Sequence, residues 1–101
     1  MALSADLMSA RRTLRLEISG LEALSAGLGQ PFVSAIDVFA AVAGRVVVTG
    51  MGKSGHVARK IAATLASTGT PAIFVHPAEA SHGDLGMIAR SDAVLALSNS
   101  G

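Results

Sequence analysis

The sequence contains no cysteine, no tryptophan and no tyrosine. Without cysteine, neither a disulfide framework nor a thiolate metal site can form. Three phenylalanines are the only aromatic residues and the formal net charge is +1, so the chain lacks the base-stacking platform and the basic excess of nucleic-acid-binding proteins. No apolar run approaches the roughly 18 residues that a membrane span needs, and residues 1–10 lack the pattern of a signal peptide. These absences predict a cytoplasmic protein that binds neither nucleic acid nor membrane.

The residues that are present predict a helical pair at the N-terminus. Half of the 101 residues are hydrophobic and 15% are charged, which fits a single α/β domain. Apolar residues recur at steps of three and four through residues 3–28, and Gly20 falls inside this pattern. A second helical pattern follows Pro31 and reaches Gly44, which can end it. We therefore expect an αα segment over residues 1–44.

The hydrophobic period changes at residue 45. Short apolar runs over 45–49, 72–76 and 93–97 indicate three strands, and a helical pattern over 54–68 lies between the first two, with Gly69 as its C′ residue. Residues 78–89 are less regular and suit a short helix. This order predicts an α/β fold, in which a doubly wound parallel sheet over residues 45–101 follows the helical pair. A third strand this apolar would normally be covered by a further helix, so we expect an incomplete domain or one completed by association.

A loop rich in glycine, Gly50-Met51-Gly52-Lys53-Ser54-Gly55, follows the first strand. Its spacing satisfies the dinucleotide fingerprint, but that site also needs an acidic residue at the end of the second strand, and Phe74-Val75-His76-Pro77 has none. A Walker loop would need glycine where Val47 stands. The loop therefore predicts either a site for a smaller anion, with Lys53 as a point charge, or a tight turn with a solvated lysine.

Polar residues also follow the second and third strands. His76-Pro77-Ala78-Glu79-Ala80-Ser81-His82-Gly83-Asp84 contains two histidines and two acids. From the spacing alone, the two histidines could have a structural role, transfer protons or bind a metal. Ser98-Asn99-Ser100-Gly101 suits phosphate oxygens but is also ordinary turn chemistry. Because the carboxyl ends of parallel strands meet at one edge of the sheet, we expect a ligand site there.

Together these segments resemble the sugar isomerase (SIS) domain, and within it the D-arabinose 5-phosphate isomerase family of the KdsD/KpsF/GutQ type. The resemblance rests on Gly50 to His56, on Ser67-Thr68-Gly69-Thr70-Pro71, on residues 74–86 with their His-Gly-Asp-Leu-Gly segment, and on residues 98–101. It implies a flavodoxin-like SIS domain truncated after the third strand, with residues 45–101 as its N-terminal part. The implied activity interconverts D-ribulose 5-phosphate and D-arabinose 5-phosphate through an enediol, in the synthesis of the lipopolysaccharide sugar Kdo. A non-catalytic SIS module that binds sugar phosphates is the alternative.

The same resemblance implies roles for individual residues. Lys53 and His82 match catalytic positions, and no cofactor is required, although zinc can bind at the position of His76 as an inhibitor. The implied substrate-binding residues are Ser54, Gly69, Thr70, His82, Ser98 and Ser100. Further catalytic residues of the family fall beyond Gly101, so this chain is expected to lack part of the active site. Because subunits of the family associate through their helical segments, we expect a homo-oligomer, a dimer or a tetramer, formed through residues 3–43.

Overall fold

The computed structural model describes residues 4–78 and 84–101. The described residues fall into two compact units, which divide between Ala35 and Ile36. The first unit contains α1 (Ala5–Gly27) and the start of α2 (Gln30–Ala40). The second unit contains the end of α2 and, in chain order, β1 (Val46–Gly50), α3 (Lys53–Ser67), β2 (Ala72–Phe74), a short 3-10 helix (Asp84–Met87) and β3 (Ala93–Leu97).

The first two helices form where their apolar periods predict them. Ser4 caps α1, because its Oγ accepts a hydrogen bond from the Leu7 N–H at 3.1 Å. The helix continues through Gly20 to Gly27, since a single glycine costs a helix only about 0.5–1 kcal/mol relative to alanine. α2 has Pro31 in its first turn and ends at Ala40, a few residues before the predicted end.

The apolar side chains of these helices remain accessible. No residue of α1 or α2 is fully buried, and Leu14 and Leu21 are 58% and 65% exposed. Among the described residues, no single helix is long and apolar enough to cross a membrane. α1 and α2 pass that test of length and composition only when they are taken together across the break between them.

The three strands form a parallel sheet in the order β2-β1-β3. α3 follows β1 and leads to β2 at one edge, and the chain then crosses to β3 at the other edge. Val48 in the centre pairs with Phe74 on one side and Leu95 on the other. The predicted doubly wound parallel arrangement is therefore confirmed. β2 is shorter than predicted. After Phe74, Val75 still bonds to β1, because its N–H donates to the Val48 carbonyl at 3.0 Å and its carbonyl accepts from the Thr49 hydroxyl, and the chain then reaches Pro77.

The core lies between β1 and α3. Val46, Val47 and Val48 are at most 1% exposed, as predicted for a central strand covered on both faces. Val46 and Val48 cluster with Ala58 and Ala62 of α3, whose small side chains let the helix lie close to the sheet.

The end of α3 is fixed by backbone hydrogen bonds of the Schellman type. The Thr70 N–H donates to the Leu65 carbonyl at 2.9 Å and the Gly69 N–H to the Ala66 carbonyl at 3.4 Å. Gly69 has a φ of 99°, so its predicted role as the C′ residue is confirmed.

A hydrogen-bonded pair, which we call the 45–92 clasp, joins the starts of β1 and β3. The Asp92 carboxylate accepts the N–H of Arg45 at 2.7 Å and that of Ala89 at 2.8 Å, and it lies 3.5 Å from the Arg45 guanidinium. Arg45 Nη2 also donates to the Met87 carbonyl at 2.6 Å. The Asp92 side chain is 3% exposed. The clasp therefore ties residues 87–92 to the start of the central strand β1.

The clasp makes the stability of the fold sensitive to acid. The N–H groups of Arg45 and then Ala89, with a smaller effect of the Arg45 guanidinium, hold the pKa of Asp92 below its ordinary value of 3.8 against the opposing effect of burial. Because the folded pKa lies below the unfolded one, the stabilisation by Asp92 is present above about pH 4 and is lost as the pH falls through the folded value.

We expect Asp92→Asn to unfold at a lower temperature than the wild type at pH 7, because it removes the charged acceptor. The difference should shrink as thermal unfolding is repeated at successively lower pH below about 4, because the wild-type carboxylate becomes protonated as the pH falls through its folded pKa. Asp6→Asn, which removes an exposed carboxylate from the first turn of α1, is the matched control. A difference for Asp92→Asn that stays constant with pH would contradict this role of the clasp.

Candidate functional site

The topology creates one favourable place for a ligand. The chain leaves β1 toward β2 on one side, and β3 lies on the other side, so the connections diverge at the carboxyl ends of β1 and β3. In open α/β sheets, ligands bind in the crevice at such a switch point. Gly50 pairs with Leu97, and therefore the loop that follows β1 lies beside Ser98–Ser100, the loop that follows β3.

Three glycines shape the loop between β1 and α3. Gly52, the N-cap of α3, has φ 58° and ψ −128°, which favours glycine. Gly50 and Gly55 allow a close approach, since a Cβ on Gly55 would come within 2.6 Å of the Gly50 carbonyl oxygen. The strand therefore passes directly into the helix. The N–H groups of Gly55 and His56 donate to the carbonyls of Met51 and Gly52 at 3.3 and 3.2 Å, whereas those of Lys53 and Ser54 precede the first of these bonds.

The loops that follow β1 and β3 line two adjoining clefts of about 610 and 520 Å³. The polar lining residues of the larger cleft are Lys53, Ser54, Ser98 and Asn99, and the smaller cleft adds Thr49 and Ser100. None of these described lining residues is acidic. Ser98 also shapes its own loop, because its Oγ accepts the Gly101 N–H at 2.9 Å.

This lining suits an oxyanion such as a phosphate group. A helix N-terminus supplies positive potential, hydroxyl groups can donate to phosphate oxygens, and a lysine adds a full charge. Lys53 is exposed and Ser54 is half-buried, so both can reach a ligand in the cleft. Asn99 also lines both clefts but was not predicted as a site residue. Its position between Ser98 and Ser100, in the loop after β3, is the signal that could have identified it.

The structure brings four of the predicted site residues together and separates two others. Lys53, Ser54, Ser98 and Ser100 lie around the adjoining clefts. Gly69 and Thr70 follow the opposite end of α3. A helix of 15 residues at about 1.5 Å per residue places them roughly 20 Å away. The other predicted catalytic residue, His82, lies outside the described residues.

His76, the predicted zinc position, is half-buried just beyond β2. Its Nδ1 accepts the Ala78 N–H at 3.1 Å, so in this arrangement the neutral ring carries its proton on Nε2. Within residues 4–78 and 84–101, no group of three histidines or acids could hold a metal ion. Because His82 lies outside the described residues, zinc binding at His76 stays a prediction.

Comparison with known protein families identifies the fold family. Residues 41–101 match the SIS domain. The chain belongs to the SIS domain family. The resemblance seen in the loop motifs is thus confirmed, and the SIS match begins just before β1 and includes all three strands.

Two curated relatives of this SIS chain carry the same enzyme name. It is 66% identical over 93 residues to arabinose 5-phosphate isomerase KdsD of Pseudomonas aeruginosa. The matched segment covers 92% of this chain and 28% of that protein. It is 57% identical over 95 residues to arabinose 5-phosphate isomerase GutQ of Escherichia coli K12, which covers 94% of this chain and 30% of that protein.

A solved structure shares the fold of the SIS chain. The Escherichia coli CFT073 protein c3406 in complex with A5P superimposes with a TM-score of 0.85 at 43% identity, over 97% of this chain and 53% of that one. The chain therefore spans about half of this solved protein and under a third of the two curated relatives.

Proposed function

We propose that this SIS chain forms one wall of the active site of an aldose–ketose isomerase that interconverts D-arabinose 5-phosphate and D-ribulose 5-phosphate. The observation that carries the proposal is the meeting of Lys53 and Ser54 with the Ser98–Ser100 loop at the β1/β3 switch point. The names of the curated relatives and the A5P bound to c3406 support the choice of substrate.

The proposed chemistry gives each of these residues a role. The hydroxyl groups of Ser54, Ser98 and Ser100 hold the phosphate group, which leaves C1 and C2 of the open-chain sugar near Lys53. Isomerisation of the aldose removes the proton from C2 and places a proton on C1. The carbonyl oxygen gains a proton and the C2 hydroxyl loses one. The Lys53 ammonium donates a hydrogen bond to the carbonyl oxygen and stabilises its developing charge, and His82 keeps its role in proton transfer.

Gly69 and Thr70 enter the proposal as residues of a second copy of the chain. They lie about 20 Å from Lys53 in the same chain, too far to touch the same pentose phosphate. In a homo-oligomer, however, they can border the site of another subunit. The exposed apolar side chains of α1 and α2 support such an assembly, because exposed apolar patches commonly mark protein interfaces.

We expect the chain to self-associate through α1. Replacing both Leu14 and Leu21 with glutamine should shift the sedimentation coefficient toward that of the monomer, because burial of these leucines would otherwise stabilise the assembly. Glu17→Gln, a substitution on the same helix that leaves the leucines in place, is the control. A wild-type chain that sediments as a monomer at all concentrations would contradict the expectation.

A chimera tests the isomerase proposal directly. Residues 1–101 would replace the matching segment of the Pseudomonas aeruginosa KdsD relative, which is 66% identical over 93 residues. We expect the chimera to isomerise D-arabinose 5-phosphate. Ser100→Ala in the chimera should weaken substrate binding by about tenfold or more, because a hydrogen bond to a charged group is lost. Ser67→Ala, at the far end of α3, is the control.

A second function, a sugar-phosphate-binding module without catalysis, is favoured by the absence of an acidic group among the described residues that line the clefts. Binding of D-arabinose 5-phosphate by the chimera without turnover would support the module. Turnover would support the isomerase, and the absence of both would overturn both proposals.

The isomerase proposal requires no cofactor, and it includes the cytoplasmic location and the role in Kdo synthesis that the family resemblance implies.

A further inference from the structure

A smaller cleft of about 180 Å³ lies beside β2 and the start of α3, and we call it the β2 cleft. It is lined by Gly52, Gly55, His56, Arg59, Phe74 and His76. It shares none of these residues with the clefts around Lys53. Three of its six lining residues have nitrogen donors in their side chains, and none of the six is acidic. The described lining therefore presents hydrogen-bond donors and positive charge, with no carboxylate among its six residues.

Arg59 is positioned by an aromatic ring. Its guanidinium carbon lies 4.2 Å from the centroid of the Phe74 ring, within the range of a cation–π contact. A cation–π contact does not use up the N–H donors of a guanidinium, which has five of them. Arg59 therefore lies against Phe74 at the wall of the β2 cleft and can still donate to another partner.

His76 is positioned by the same ring and by the backbone. Its ring centroid lies 6.4 Å from that of Phe74 in an edge-on arrangement at 79°. Its Nδ1 accepts the Ala78 N–H, so Nε2 of the neutral ring is a donor. The same hydrogen bond leaves the Nε2–H as the ring's donor to an anion.

We infer that the β2 cleft binds a phosphate group, with the Arg59 guanidinium and His76 Nε2–H as the principal donors. His56 adds a third donor from the first turns of α3. The cleft has room for a tetrahedral oxyanion, and a hydrogen bond from a guanidinium to a phosphate is among the stronger ones in proteins. The site does not depend on the isomerase proposal, because it uses neither Lys53 nor the Ser98–Ser100 loop.

A titration of the isotopically labelled chain with inorganic phosphate, at constant pH and ionic strength, tests the site. We expect the ring resonances of His56 and His76 to shift along one saturable curve. Arg59→Gln should weaken this binding by about tenfold, because a charge-assisted hydrogen bond is lost. Arg59→Lys, which keeps the positive charge but loses the planar guanidinium group with its paired donors, should weaken the binding less. Lys60→Gln, which removes the neighbouring charge of α3, should leave the curve unchanged.

Three further outcomes separate the alternatives. Shifts of the histidine rings that rise without saturation, or that are equal in Arg59→Gln and the wild type, would overturn the site. Loss of the Nε2–H signal of His76 on adding zinc, with no response to phosphate, would overturn it in favour of a metal site. A parallel titration with D-arabinose 5-phosphate identifies the source of the phosphate. Tighter saturable binding than that of inorganic phosphate would support the site with a sugar phosphate as its ligand. Equal affinity would support the site with free phosphate as its ligand.

Discussion

Replacing Lys53 with methionine is expected to lower the kcat for D-arabinose 5-phosphate in the chimera by about 10²–10³-fold, the usual effect of removing one donor that stabilises a developing oxyanion. Methionine keeps an unbranched apolar stem and removes the ammonium group. Because the charge on the carbonyl oxygen grows only in the transition state, the loss should fall on kcat more than on KM. Steady-state kinetics in both directions of the reaction would measure it.

Lys60→Met is the matched control for this prediction. It removes the same charge from α3, two helical turns farther along, at an exposed position. Its kcat should stay within about twofold of the wild type, because exposed charges at that distance are largely screened. A Lys53 variant with near-normal kcat would remove Lys53 from the proposed mechanism. Equal losses in both variants would point to the net charge of the helix instead.

Gly55→Ala is expected to have the largest effect on stability. The added Cβ would come within 2.6 Å of the Gly50 carbonyl oxygen and 3.3 Å of its carbon. Both atoms are backbone, so no side-chain rotation can relieve the overlap, and α3 would have to move away from β1. Overpacking of this kind usually costs about 1–3 kcal/mol. For a domain of this size, the melting temperature should fall by about 4–8 °C for each kcal/mol.

Gly20→Ala is expected to have the opposite effect, an increase in stability. A Cβ at Gly20 meets nothing within 4 Å, and the residue lies inside α1, so alanine should raise stability by about 0.5–1 kcal/mol. Thermal unfolding at one fixed protein concentration would compare the two variants with the wild type, because self-association makes the melting temperature depend on concentration. A Gly55→Ala protein that unfolds at the wild-type temperature would show that β1 and α3 are not packed this closely.

Local patterns predicted the elements of the fold well. The apolar run at 93–97 became β3 with the same bounds, and the valines before Gly50 became the buried central strand. Gly69 was predicted to end α3 from its position alone, and its positive φ confirms it. These features depend on residues that are neighbours in the sequence, and therefore a pattern of hydrophobicity and turn residues is enough to find them.

Features that depend on distant residues could not be predicted in the same way. The 45–92 clasp joins residues 47 positions apart, and neither Arg45 nor Asp92 lies in a recognisable motif. The orientation of His76 depends on a hydrogen bond from Ala78, which no spacing rule specifies. The zinc position came from family resemblance alone and stays a prediction.

The most direct measurement is an amide NMR titration of the chain with D-arabinose 5-phosphate. If the cleft at the β1/β3 switch point binds the sugar phosphate, the largest saturable shifts should fall on Lys53, Ser54 and Ser98–Ser100, and Ser100→Ala should weaken them by about tenfold. Saturable shifts that avoid these residues, or no saturable shifts at all, would contradict the proposed site.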